Sequence, residues 1–289
     1  MLVHKKNSRL FLNIGLVIIV ALLIFLVVFE PGLDNEPAPS KLLTLDKNQI
    51  TSIRIIHNDE TIRLEKRDNK WMTTEPVKAE GNSFKINSLL DLATTRSFAH
   101  YSVNEIDLIP IRLDKPRSRV LFNDVEIAFG NTQPINHQRY VMVDNVVHLI
   151  NDFYYHHTVS PAGNYVSFSL LPSGSDINKI VFPDNSVIEN IEGKWTANID
   201  ISTDNITNLV NEWKHAEALE VKLYNESRPD RKIAISLSGS TQPVIFFILE
   251  KGNDVWLVNH SLTLKYLLTQ DVAQKLLDPV SLLKSITKK

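Results

Sequence analysis

The longest apolar stretch of the chain is LFLNIGLVIIVALLIFLVVF, residues 10–29, which carries no charge and is interrupted only by Asn13 and Gly15. As an α-helix rising about 1.5 Å per residue it is about 30 Å long, the thickness of a bilayer core. The pattern predicts a single transmembrane helix. Its flanks differ in sign: His4, Lys5, Lys6 and Arg9 precede it, while Glu30, Asp34 and Glu36 follow. Basic flanks stay on the cytoplasmic side. Residues 1–9 are therefore expected in the cytoplasm, and everything after residue 29 outside the inner membrane, in the periplasm. The run exceeds the h-region of a signal peptide, about 7–15 residues, and no A-x-A site follows it, so it reads as an uncleaved anchor.

Beyond the anchor, residues 30–49 read as a linker. Its first part, EPGLDNEPAPSK, is proline-rich and acidic. Such segments stay extended at about 3.1 Å per residue, giving a reach of about 35 Å.

The rest of the chain repeats itself. Ile86, Leu89, Leu90 and Ala93 fall at i, i+3, i+4 and i+7, and so do Ile206, Leu209, Val210 and Trp213, each set marking one apolar helix face. Ser83 and Thr203 are the expected N-caps. Upstream of each helix, residues 50–76 and 177–200 alternate in the period of strands and are broken by Asn58-Asp59, Asp68-Asn69, Asp184-Asn185 and Glu192-Gly193, chemistry suited to hairpins. Lys70-Trp71 and Lys194-Trp195 open the third strand of each set. Downstream, the Gly130–Pro134 segment parallels Gly239–Pro243, each followed by a hairpin, over 139–151 and 246–260.

These matches predict a duplicated unit of three strands, a helix, about four strands and a short closing helix, at 152–158 in the first copy and 262–269 in the second. A further helix is expected over 271–277. The fold class is α+β: an N-terminal transmembrane helix followed by two tandem similar units of mainly antiparallel sheet, each with a packed helix. The units span 50–158 and 177–289, the second with a C-terminal helical tail, and 159–176 connects them. In the tail, Leu276, Leu277, Val280 and Leu283 are read as a cap on the second core or, alternatively, as an apolar helix presented to a partner.

Composition narrows the function. The chain has no cysteine, which excludes disulfides, thiol catalysis, Cys-ligated metal and a lipid anchor on cysteine. There are 31 Lys and Arg against 33 Asp and Glu. Three basic and no acidic residues lie before residue 30, so the remainder carries −5. That surface does not favour nucleic acid.

The pattern resembles the family of bacterial membrane-anchored proteins called DUF4340. The resemblance rests on Ile50-x-x-Ile53 with the hairpin to Trp71, on Leu113-Asp-Lys-Pro-Arg-Ser-Arg-Val120, and on the Gly130 turn leading to Tyr140-Val141. It covers most of residues 50–269. The Tyr-Gly-Leu usual before Asp-Lys-Pro is replaced here by Pro110-Ile111-Arg112-Leu113. The resemblance implies an extracytoplasmic companion of ABC-type transport or gliding-type membrane complexes, and brings no catalytic residues.

Candidate chemistry is sparse. His148, Asp152, His156 and His157 cluster, with His137 in the preceding loop. Asp152 and His156 at i, i+4 would share a helix face as metal ligands, but the second unit lacks the set, and the segment reads as packing. No nucleophile elbow or phosphate-binding glycine loop occurs. The run Arg63, Lys66, Arg67, Lys70 is interleaved with Glu60, Glu65 and Asp68 and reads as a solvated hairpin face. Trp71 and Trp195 read as core. No catalytic, metal or cofactor-binding residue is assigned, and no cofactor is expected. Asn13 and Gly15 are candidate contacts with another membrane helix.

These features point to a non-catalytic, single-pass membrane-anchored scaffold or binding protein, an accessory component of an envelope or ABC-type transport complex with membrane-protein partners. The alternative is an extracytoplasmic carrier or sensor of lipid, glycan or peptide. A metal-dependent hydrolase around 148–157 is a third reading.

Overall fold

A computed structural model of the chain describes residues 4–29 and 40–277. Helix α1 (His4–Phe29) has continuous helical backbone, with side chains described at 11–25 and 27. Among the described residues, no helix is long and apolar enough to cross a membrane. The described side chains of α1 are apolar on every side except at Asn13 and Gly15, and Phe11, Leu16, Ile18, Leu22 and Phe25 are all exposed. The residues from Lys41 onward form a separate unit. Strand β1 (Ser40–Lys41) leads into Leu42 and Leu43, both buried. Asp46 caps a 3-10 turn, Lys47–Gln49, by accepting from the Asn48 N–H. Residues 41–49, expected to be linker, are therefore part of the fold. Their leucines supply apolar surface that the proline-rich stretch before them lacks.

The hairpins form where the turn residues dictate. Strands β2 (Ser52–His57), β3 (Glu60–Arg67) and β4 (Lys70–Glu75) are joined by Asn58-Asp59 and Asp68-Asn69, all four at positive φ. That geometry matches the right-handed twist of paired strands, and Asn and Asp tolerate it. In the second lobe β12 (Ile177–Val181), β13 (Val187–Ile191) and β14 (Lys194–Ala197) repeat the arrangement, with Glu192-Gly193 at positive φ in the second turn.

After β5 (Ala79–Glu80), helix α2 (Ser83–Leu90) buries Ile86, Leu89 and Leu90 and tightens into a 3-10 turn that buries Ala93. Helix α4 (Thr203–His215) buries Ile206, Leu209, Val210 and Trp213. The caps sit one residue earlier than expected. Asn82 accepts from the Lys85 N–H and Ser202 from the Asn205 N–H, so the two copies still share a cap position.

The remaining strands of the first lobe are β6 (Arg96–Ser97), β7 (Ala99–Ser102), β8 (Ser118–Phe122), β9 (Val125–Thr132), β10 (Gln138–Val143) and β11 (Val146–Asn151), closed by α3 (Tyr155–Thr158). Those of the second are β15 (Glu220–Leu223), β16 (Lys232–Leu237), β17 (Val244–Lys251), β18 (Asp254–Asn259) and β19 (Leu264–Leu268), closed by α5 (Gln270–Leu277).

The first sheet runs β5-β4-β3-β2-β8-β9-β10-β11-β7 and the second β14-β13-β12-β16-β17-β18-β19-β15, with antiparallel pairing throughout. Apart from the extra edge strand β5, the orders are identical. In both, the chain leaves the helix, forms the far edge and returns to the centre of the sheet. The two lobes are copies of one α+β unit.

That order also corrects two expectations. Residues 262–269 do not close the second lobe as a helix. They contribute strand β19, with Leu264, Tyr266 and Leu268 buried and Lys265 and Leu267 facing outward, the period of two that strands impose. The closing helix is α5, with Ala273 and Leu276 in the core. Gly130 and Gly239 are not equivalent either: Gly130 lies within β9, whereas Gly239 turns between β16 and β17. The partner of the β10–β11 hairpin is β18–β19, one strand further along than the matched motif suggests. The expected tail beyond residue 277 lies outside the described residues.

A candidate binding cleft where the lobes meet

The connector decides how the lobes join. Its serines, glycines and prolines suggest a loose loop, but it buries Ala162, Gly163, Tyr165, Val166, Leu170 and Leu171. On one side Asn82 N–H donates to the Tyr165 carbonyl at 2.9 Å and Ser167 N–H to the Glu80 carbonyl at 2.7 Å. On the other, Leu170 N–H donates to the Ala216 carbonyl at 3.1 Å and Ala218 N–H to the Phe168 carbonyl at 2.8 Å. The segment acts as a strand laid between the edges of both lobes, so neither edge keeps its backbone groups unpaired there. The Glu80 carboxylate accepts from the Ser173 N–H and hydroxyl, pinning the far end. Gly163 lies against β15, and a Cβ there would stand 1.8 Å from the Val221 carbonyl oxygen. Val77 and Ala79, from the edge of the first lobe, pack into the core of the second.

Along this seam lies a cleft of about 460 Å³. Met72 and Ala79 wall it on the first lobe, Leu170 and Leu171 line it from the connector, and Val244 and Leu262 close it on the second lobe. The polar groups in it are few. Asn259 uses its side-chain oxygen to accept from the Ser261 hydroxyl and the Leu262 N–H, leaving its NH₂ without a partner among the described residues. The Tyr266 hydroxyl has none either, and burial pushes its pKa up to about 12, so it stays a neutral donor. Lys70 stands in the lining without an ion pair among the described residues. An apolar cleft with two accessible donors on buried residues, the Lys70 cation and a Glu80 carboxylate already held by Ser173 suits an amphipathic partner whose polar end accepts hydrogen bonds.

The histidine and acid cluster is engaged elsewhere. Among the described residues no group of three or more His, Asp and Glu is placed to hold a metal ion. Asp152 is bound to Arg139 Nε and accepts from the Thr132 hydroxyl. Arg139 also donates to the Gly130 carbonyl at 2.6 Å and the Thr132 hydroxyl at 2.9 Å, and its guanidinium lies 3.6 Å from the centre of the Tyr155 ring. His148 Nδ1 is 2.9 Å from the Ser97 hydroxyl. His156 Nδ1 meets the Phe153 carbonyl. His157 is buried with both ring nitrogens unpartnered, and its carbonyl accepts from the Tyr165 hydroxyl. Burial, then the charges of Lys85 and His156, hold its pKa down to about 4. His137 sits at positive φ in the turn before β10.

The other singled-out residues take ordinary places. Trp71 is buried, while Trp195 is half-buried against the second core. Arg63 pairs with Glu75 at 3.5 Å and Arg67 with Glu65 at 2.6 Å, as a solvated hairpin face would. On α1, Asn13 is exposed and, among the described residues outside its own helix turn, nothing lies within 4 Å of where a Cβ on Gly15 would stand.

Asn259 and Tyr266 were not singled out as site residues by the sequence. Tyr266 could have been found from the alternation Leu264, Tyr266, Leu268. Asn259 carries no local signal, because its neighbours are brought in by the other lobe. No protein-family model matches the chain, nor does any curated protein or any solved structure.

Proposed function

We propose that this chain is a non-catalytic, single-pass membrane-anchored binding protein, with residues 10–29 as the anchor, the N-terminus cytoplasmic and the duplicated lobes on the extracytoplasmic face of the inner membrane. In this reading it is an accessory component of an envelope or ABC-type transport complex, as the likeness to DUF4340 implies. The observation that carries it is the apolar cleft on a connector bonded to both lobes. The anchor raises the local concentration of that surface near other membrane proteins. Asn13 and Gly15 are then the points where another membrane helix approaches, since small and amide-bearing residues favour close helix packing. The test is photo-crosslinking in native membranes from a reactive amino acid placed at Val244. Discrete adducts with a membrane protein are expected, and a chain that stays free of adducts overturns the reading.

A second reading has its own support. The unpartnered Tyr266 hydroxyl and Asn259 amide suit a small ligand with an apolar body and an accepting head, which makes the chain a carrier or sensor. Native mass spectrometry of the full chain then shows a bound molecule that is lost on Met72→Trp, a substitution that fills the cleft.

A further inference from the structure

The first lobe carries a second concavity, of about 510 Å³, remote in sequence from the cleft and of opposite character. Arg112, Lys115, Arg117 and Arg119 line it together with His57 and Tyr155, against one carboxylate, Asp59. Arg119 is paired with Glu126 at 3.1 Å. Arg112, Lys115 and Arg117 have no ion pair or side-chain hydrogen bond among the described residues. Nearby, Arg139 has its guanidinium engaged on three partners, so this lobe satisfies the cation that serves structure and leaves these three open. All three are exposed, and an anion seated in the concavity would meet all three at once. They also run against the net negative charge of the rest of the chain.

The wall is rigid. Arg112 has φ 55°, a left-handed conformation that a non-glycine residue rarely adopts and that local structure must enforce. The enforcement is visible. Leu113 N–H donates to the Leu108 carbonyl at 3.0 Å, Asn131 N–H to the Ile111 carbonyl at 2.7 Å, and the Asn131 amide to the Pro110 carbonyl at 3.0 Å. The loop sits so close to β9 that a Cβ on Gly130 would stand 2.3 Å from the Ile111 oxygen. His57 Nδ1 lies 2.9 Å from the Arg117 carbonyl and fixes the other side. Among the described residues the second lobe has nothing comparable. Its shorter connection carries Arg228 over the Phe247 ring and Arg231 paired with Glu250 at 2.9 Å.

We infer that this pocket is a binding site for a phosphate group, held by Arg112, Lys115 and Arg117. Guanidinium forks match phosphate oxygens bidentately, and a pre-set loop loses little freedom on binding. The volume leaves room for a second phosphate or an attached group. The phosphate belongs either to a soluble compound or to a lipid headgroup.

The test uses the full chain in phosphatidylcholine nanodiscs, titrated calorimetrically with pyrophosphate, and flotation on separate vesicles with and without phosphatidic acid. Pyrophosphate binding without vesicle binding assigns a soluble phosphate compound. Vesicle binding that requires phosphatidic acid and is competed by pyrophosphate assigns a headgroup. Arg112→Gly keeps the positive φ and removes the charge, so the fold is preserved. It and Lys115→Ala should each weaken binding about tenfold, while Lys66→Ala on the β3 hairpin should leave it unchanged. Absence of binding in both assays, or equal binding by wild type and the Arg112→Gly, Lys115→Ala double variant, overturns the proposal.

Discussion

The two lobes share one topology and differ where the chain is free to differ. Both build a helix over the same sheet face, with caps at Asn82 and Ser202. The second lobe fills its core with Trp213 stacked on Phe246, ring centres 6.1 Å apart. The first has the small Ala93 at the matching helix position, where the helix has already tightened into a 3-10 turn. Outside the sheet the contrast reverses. The long connection between β7 and β8 covers the outer face of the first sheet, packing Val103, Ile106, Leu108 and Leu113 on Ala128 and Val147. In the second lobe Tyr224, Phe247 and Val258 fill the corresponding face themselves. Core positions are constrained by the shared fold, and the open cations sit on a long connection that it does not constrain.

The sharpest way to break this comparison is to separate the copies. Gly163→Ala drives a Cβ into the Val221 carbonyl, a backbone group that cannot turn aside. We expect a loss of about 3 kcal/mol, at the upper end for overpacking. Urea unfolding of the full chain should change from one transition to two as the lobes uncouple. A single transition with unchanged midpoint would show that the seam is carried by other contacts.

A smaller effect tests whether the copies are equivalent in detail. Asn82→Ala and Ser202→Ala each remove one cap bond to a free backbone N–H and should each cost about 1 kcal/mol. The same two variants, followed by hydrogen exchange, should loosen the first turn of their own helix and leave the other helix unchanged. Loss of protection in both helices from either variant would mean that the lobes unfold as one unit without local autonomy.

Much of this duplication was legible in the sequence because its signals are local. Helix faces, hairpin turns and the Lys-Trp strand openings depend on residues a few positions apart. The Gly130 and Gly239 match misled because short polar turns recur by chemistry, and a five-residue likeness does not fix which strand it follows. Strand β19 shows its period of two in Leu264, Tyr266 and Leu268, a signal too short to outweigh the expected helix. The cleft was not legible, since Met72, Leu171 and Tyr266 meet only through the connector's bonds to both sides. The basic pocket was not read at all. Lys115 and Arg117 stand in a stretch noted for its likeness to a family, while the residues facing them, His57 and Asp59, come from a distant hairpin.

Acid separates the lobes most gently. His157 and His148 both lie in the first lobe, and both have pKa values lowered by burial, His148 also by the charge of His100. The corresponding helix of the second lobe, α5, buries Ala273 and Leu276 and no titrating group. In the unfolded chain a histidine takes up its proton near pH 6.5, whereas folded His157 resists it until about pH 4. Between those values the unfolded state binds more protons, so stability is full above about 6.5 and falls as the pH is lowered toward 4. At neutral pH the effect is absent. Hydrogen exchange at pH 5 should therefore show the first lobe, around β2, β8 and α3, opening before the second. His157→Phe should reduce that difference by removing the larger of the two shifts, and Lys85→Met should narrow the window by relieving one of the charges that hold the proton off. Equal acid sensitivity in the two lobes, unchanged by His157→Phe, would place the titrating groups elsewhere and remove this distinction between the copies.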